Sequence, residues 1–299
     1  MRASIVPAVL LLALSITGCA TRPPPASVPA GTPAAAAPSP AADDNLNAVL
    51  WVQRSAEYRA NAESIFRAAT AQLDRALASP DWDALVPAER AQTAPAAGLP
   101  PAVIMDIDET VLDNSPYQAR LVASGGEYDE ASWAGWVEER SARPVPGVLA
   151  FARAAQDRGV TIVYLSNRAR HLGEATLANL RAVGMPVKDE SVFLGLGTHV
   201  EDCDQQGSEK RCRRLLAGRS YRVLMQFGDQ LGDFVEVLAN TPAARAAQLD
   251  QSREWFGERW WMLANPAYGS WEPAMFDNAW HLPREARRRL KREALDLAN

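Results

Sequence analysis

The chain has 299 residues, 47% of them apolar, and a formal net charge of −5. This is ordinary globular composition, and no basic block with interleaved aromatics stands outside the last helical stretch, which argues against nucleic-acid binding by charge. His171, His199 and His281 are nowhere at ligand spacing from one another, which argues against a zinc site.

Met1-Arg2 supplies a positive start, and Val6 to Ile16 is apolar over the length of a signal peptide. It is short for a transmembrane helix. Ile16-Thr17-Gly18-Cys19 reads as a lipobox, so residues 1–18 are expected to leave and Cys19 to become a lipidated (palmitate-type) N-terminus. Ala20 follows, not the Asp of inner-membrane retention. The expected place is the cell envelope, lipid-anchored in the outer membrane of a Gram-negative bacterium. Residues 19–43 are rich in Pro and Ala and read as a tether. Residues 44–299 are the length of one α/β domain.

Leu46 to Leu77 carries apolar residues at helical spacing, ended by Ser79-Pro80. Ala102–Asp106 reads as a buried strand. Residues 114–146 are rich in aromatics and read as a small, mostly helical cap. A helix follows Pro146-Gly147 to Arg158, then a buried strand Val160–Leu165, then a helix from Leu172 to Ala182. Short strands are expected near Val192–Leu194, over Arg222–Phe227 and over Arg259–Leu263, and a basic amphipathic helix over Pro283–Leu297. Such alternation implies an α/β fold with a parallel sheet and helices on both faces.

Three polar clusters end three of these strands: Asp106/Asp108, Ser166/Asn167/Arg168 and Asp229/Asp233. In parallel sheets ligands bind at the carboxyl ends of strands, so the clusters are expected to converge. Asp106 and Asp108, two apart, point to one side if the strand continues. Like charges held together favour a bound cation, and oxygen ligands suit Mg²⁺. One carboxylate can then attack phosphorus while the other moves a proton. Taken alone, the five residues from Asp106 to Thr110 also fit a solvated acidic turn.

Asp106-Ile107-Asp108-Glu109-Thr110, Leu165-Ser166-Asn167-Arg168 and Gly228-Asp229-Gln230-Leu231-Gly232-Asp233-Phe234 together resemble the class C bacterial acid phosphatases of the haloacid dehalogenase (HAD) superfamily, including the outer-membrane lipoprotein e type of 5′-nucleotidase. Ala48-Val49-Leu50-Trp51-Val52-Gln53 and Asn265-Pro266-Ala267-Tyr268-Gly269-Ser270-Trp271-Glu272 extend the likeness. Gln230 departs from it, standing where the family usually has Asn. Gly207-Ser208-Glu209-Lys210 departs too, keeping only the second lysine of the usual pair. The resemblance implies a HAD-like (Rossmannoid) sheet. Asp106 would be the nucleophile, Asp108 the general acid and base, and Ser166, Asn167 and Lys210 the phosphate-binding groups, with Lys188 the fallback lysine. Asp106, the backbone carbonyl of Asp108 and Asp229 would hold Mg²⁺, with Asp233 supporting them.

The implied activity is Mg²⁺-dependent hydrolysis of small phosphate esters, nucleoside 5′-monophosphates foremost, through an aspartyl-phosphate. Trp133, Trp136 and Tyr268 are candidates for stacking on a base, although the two tryptophans equally fit a cap core. A broad acid phosphatase or phosphotransferase is the nearest alternative. A lipid-anchored haem- or nucleotide-binding protein with a vestigial site is another. Cys203 and Cys212 could pair in an oxidising envelope, if their geometry permits. The oligomeric state is not legible, a dimer included.

Overall fold

A computed structural model describes residues 44–298. The signal peptide, Cys19 and the tether lie outside the described residues. The chain runs α1 (Leu46–Arg54), α2 (Ala56–Ala78), α3 (Pro87–Arg90), β1 (Pro101–Met105), β2 (Leu112–Asp113), α4 (Ser115–Ser124), α5 (Glu130–Glu138), β3 (Arg143–Pro144), α6 (Val148–Asp157), β4 (Thr161–Ala169), α7 (Gly173–Ala182), β5 (Phe193–Leu196), α8 (Arg211–Ser220), β6 (Arg222–Gly228), α9 (Pro242–Gln251), β7 (Trp260–Met262) and α10 (Arg284–Glu293).

The main sheet has the order β5-β4-β1-β6-β7, and every pair in it is parallel. Strand β1 is central, with the next two long strands on opposite sides of it. That places the topological switch at its carboxyl end, where ligands bind in such sheets. The side-chain alternation of β1 divides the core. Val103 and Met105 join a cluster with Phe66, Phe151 and Leu180, whereas Ala102 and Ile104 join Leu85, Phe234 and Trp260 on the other face. Both faces are therefore covered, as the near-continuous apolar strands require. The cap is inserted between β1 and α6. It consists of α4 and α5, and it is closed at its base by the antiparallel pairing of β2 with β3.

Four elements differ from expectation. The first helical stretch is two helices, because Ser55 is extended (ψ 141°) and its hydroxyl accepts from the Tyr58 amide at 3.0 Å, capping α2. Helix α10 stops at Glu293; Leu295 and Leu297 are exposed, so its last expected turn has no packing to hold it. Helix α9 buries no residue and thus carries no core stripe to read. Helix α8 was hidden for the opposite reason. Its buried face includes Arg213 and Arg214, which break the apolar periodicity.

Candidate active site

Three strand ends converge as expected, and backbone bonds hold them. The Asp106 amide donates to the Phe227 carbonyl at 2.9 Å, so the β1–β6 ladder continues into the first aspartate. The chain then turns tightly, with Val111 and Leu112 amides both on the Ile107 carbonyl at 2.8 Å and Glu109 in the left-handed region (φ 60°). At the end of β6, a Cβ on Gly228 would lie 2.2 Å from Asp233 Oδ2. Only glycine lets the Asp233 carboxylate fold back here, where it accepts from the Gln230 amide at 2.8 Å.

Carboxylate oxygens of Asp106, Asp229 and Asp233 lie within 4.8 Å of one another. The Lys210 ammonium sits among them, donating to Asp106 and, at 2.7 Å, to Asp233. Lys210 is buried, and Lys188 is exposed, so Lys210 is the lysine that the fold brings to the site. Burial pulls its ammonium down, but the charges of Asp106 and Asp233 outweigh that and raise it. Burial pushes Asp106 well above the carboxylate range; Lys210 opposes this, while Asp233 and Asp229 add to it. Burial, then Asp233, pushes Asp229 up to about 7. Asp233, expected to support the metal ligands, lies within this cluster, with its Oδ1 on Lys210 and its Oδ2 on the Gln230 amide.

The Asp108 side chain points elsewhere. Its Oδ1 accepts from Arg168 Nε and Asn114 Nδ2, both at 2.9 Å, and pairs with the second Arg168 nitrogen at 2.8 Å. Its Oδ2 faces the Ser166 hydroxyl at 3.4 Å. Arg168 is buried and its guanidinium lies over the Trp133 ring, 5.6 Å from the centroid. Ser166 Oγ also accepts from the Arg168 amide at 3.0 Å, and Asn167 is exposed beside it.

Several neighbours escaped the sequence argument. Asn265 Nδ2 and Gln230 Nε2 both donate to Asp229 Oδ2, at 2.8 and 2.7 Å, and the Thr110 hydroxyl faces Oδ1 at 3.3 Å. Gln230 also accepts from the Ser270 amide at 3.1 Å, in space that Gly269 leaves; a Cβ there would lie 2.2 Å from its side chain. The longer amide at this position therefore ties Asp229 to the Asn265–Glu272 block. Buried Glu109 receives the Asn114 amide at 2.9 Å and the Tyr268 hydroxyl. Asn265 and Tyr268 lie in a block that the resemblance already includes, but their partners stand 36 and 159 residues away in sequence, which a local motif does not carry.

A family model described as HAD superfamily, subfamily IIIB (acid phosphatase), matches residues 28–271. The chain belongs to this family. The solved structure of the class C acid phosphatase from Bacillus anthracis is similar to it, with a TM-score of 0.72 and 30% identity, covering 84% of this chain and 96% of that one. A structure of that enzyme with tungstate bound gives a TM-score of 0.71 at 30% identity over the same shares. Vegetative storage protein 1 of Arabidopsis thaliana is 26% identical over 134 residues, 44% of this chain and 48% of that protein. Acid phosphatase 1 of Solanum lycopersicum is 24% identical over 132 residues, 44% of this chain and 51% of that protein. The chain spans about half the length of these curated relatives.

Acid phosphatases of this subfamily are phosphomonoesterases, and HAD phosphatases use a divalent metal. The acidic cluster fits one. Its donors are all oxygen, and three carboxylates face a single ammonium, leaving surplus negative charge that burial makes costly.

The aromatic residues of the cap are mostly core. Trp136 is buried, donates from Nε1 to Asn114 Oδ1 at 2.8 Å, and has the Arg120 guanidinium over its ring. Trp133 is 9% exposed, between Tyr117, Tyr128 and Arg168. Little of either indole is open to a base. Tyr128, 53% exposed and 6.3 Å from Trp133, is the cap ring that faces solvent. Tyr268 is half-buried, with its hydroxyl on Glu109. Cys203 and Cys212 are joined in a disulfide, with Cα atoms 5.6 Å apart.

Proposed function

We propose that this acid phosphatase hydrolyses small phosphate monoesters, nucleoside 5′-monophosphates foremost, with Mg²⁺ held by Asp106, the backbone carbonyl of Asp108 and Asp229, Asp233 supporting them, and a phosphoryl group passed through Asp106. Lys210 carries the argument: it bridges Asp106 and Asp233, so the attacking carboxylate, the cation site and a phosphate-neutralising charge share one point. The cation supplies charge neutralisation for the phosphoryl oxygens. Asp106 attacks phosphorus in line and accepts the group as an aspartyl-phosphate. Asp108 gives a proton to the leaving alcohol, then takes one from the water that hydrolyses the intermediate. Its Oδ1 is occupied by Arg168 and Asn114, so Oδ2, which has only the Ser166 hydroxyl at 3.4 Å, is the oxygen to exchange that proton. Ser166, Asn167 and Lys210 hold the phosphoryl oxygens. The tungstate-bound relative, a protein holding an oxyanion, supports a phosphate site in this fold.

The rings of Tyr128 and Tyr268 are the candidates to hold a base. The burial of Trp133 and Trp136 favours a second reading, a broad phosphatase with little grip on the base. Lipidation at Cys19 in the outer membrane completes the proposal. The deciding experiment compares kcat/KM for nucleoside 5′-monophosphates and for glycerol phosphate on the full-length protein, with Mg²⁺ and with excess chelator. A nucleotide preference that needs Mg²⁺ is expected. Equal turnover of both substrates leaves the broad phosphatase, and full activity without metal removes the cation from the proposal.

A further inference from the structure

Two fasteners hold the turn that delivers Lys210. The first is Arg213, a fully buried cation in the first turn of α8. Its Nη1 donates to the Ser166 carbonyl at 2.5 Å, and its Nη2 to Asn167 Oδ1 at 2.7 Å and to the Ser208 and Glu209 carbonyls at 3.1 Å each. These acceptors are three carbonyls and an amide, with no carboxylate among them. Burial lowers the guanidinium to about 10, against the pull of Asp106. A buried charge is costly unless its bonds are made; Nε has no hydrogen-bond partner among the described residues, so the bonds of Nη1 and Nη2 carry the compensation, and these join two segments far apart in sequence. One ends in Ser166 and Asn167; the other leads directly into Lys210.

The second fastener is covalent. The Cys203–Cys212 bond closes a ring over a sequence separation of nine, and Lys210 lies inside that ring. Cys212 adjoins Arg213 on the first turn of α8. On the same turn Arg214 pairs with Glu89 at 2.6 Å and donates to the Gly232 and Asp233 carbonyls at 3.1 and 3.2 Å. The start of α8 therefore meets two of the segments that its lysine serves, the Ser166–Asn167 turn and the Gly232–Asp233 turn. A lysine ammonium is a point charge on a flexible stem, so its placement depends on how firmly its backbone is held.

We propose that Arg213 and the Cys203–Cys212 bond are positioning elements that set Lys210 at a fixed distance from the Ser166–Asn167 phosphate turn. This rests on the roles proposed above for Ser166 and Lys210. A misplacement of about 1 Å costs on the order of 10²-fold in rate, and an aligned guanidinium fork is not replaced by an ammonium.

The test uses full-length protein loaded with Mg²⁺, with KM, kcat and inhibition by inorganic phosphate measured together. Arg213→Lys keeps the charge and loses the fork. It should raise KM and the phosphate inhibition constant about tenfold or more and lower kcat/KM about 10²-fold. Cys203→Ser/Cys212→Ser should move the same constants in the same direction, by about tenfold. The combined variant should lose less than the product of the two, because both act on one turn. A lower kcat with unchanged KM and phosphate inhibition means fewer active molecules, and overturns positioning. Wild-type constants in either variant overturn it as well. If Arg213→Lys does not fold, the serine pair decides: unchanged KM and phosphate inhibition reject the proposal. Ser166→Ala and Lys210→Ala are measured alongside. If those two keep wild-type kinetics, the site reading beneath has failed, a result distinct from failure of positioning.

Discussion

The Tyr268 hydroxyl donates to the buried Glu109 carboxyl across 159 residues of sequence. This contact joins the Asn265–Glu272 block to the turn that carries Asp108. It also gives Tyr268 a structural function beside any stacking on substrate.

Two variants separate these functions. Tyr268→Phe keeps the ring and leaves Glu109 short of a donor, which should cost about 1–3 kcal/mol of stability. It should leave nucleotide preference over glycerol phosphate largely intact. Tyr268→Ala should lose both, with the ring contributing roughly 1–3 kcal/mol per stacked base. Melting temperatures and kcat/KM for both substrates check this. A preference that survives in Tyr268→Ala moves the clamp to Tyr128.

Asp106→Asn should abolish turnover, because an amide is a poor nucleophile. The fold should persist. In chelator the variant should be no less stable than wild type, since one of three crowded carboxylates is gone while Lys210 keeps Asp233. Turnover and thermal unfolding are measured on the same sample. Activity well above a trace level would mean that Asp106 is not the nucleophile.

Metal and pH should act on one cluster. Burial, then the Asp233 carboxylate, raises Asp229 from the ordinary 3.8 to about 7. A raised acid contributes stability that is fully present below its unfolded value and is lost as pH rises through its folded value. Metal-free wild type should therefore lose stability relative to Asp229→Asn between about pH 4 and pH 7. Added Mg²⁺ should offset that loss, and bind more tightly as pH rises, because protons compete for the same oxygens. Thermal melts across this range, with and without Mg²⁺, show whether the difference has this sign. A wild-type stability that, relative to Asp229→Asn, stays flat or rises with pH contradicts it.

Cys19→Ser should leave an unprocessed precursor or release the protein from the membrane fraction. Fractionation and intact mass measure this. An unchanged mass and membrane pool in the variant would remove the lipid anchor from the proposal.

The local determinants of this protein are legible in its sequence. Apolar runs ending in Asp106, Ser166 and Asp229 identify the strands and the edge where ligands bind, because side-chain period and strand-end chemistry are properties of adjacent residues. Membership of the phosphatase family follows from the same short motifs. Only the tertiary structure decided the partners. Asp108 belongs to Arg168 and Asn114, Asp229 to Asn265 and Gln230, and Tyr268 to Glu109. It also turned Trp136 into cap core and buried Arg213 and Arg214, residues that composition assigns to the surface. The physical reason is that a hydrogen bond or ion pair depends on distance in space, which sequence period does not carry. A buried polar side chain is tolerated only where the fold brings its acceptors together.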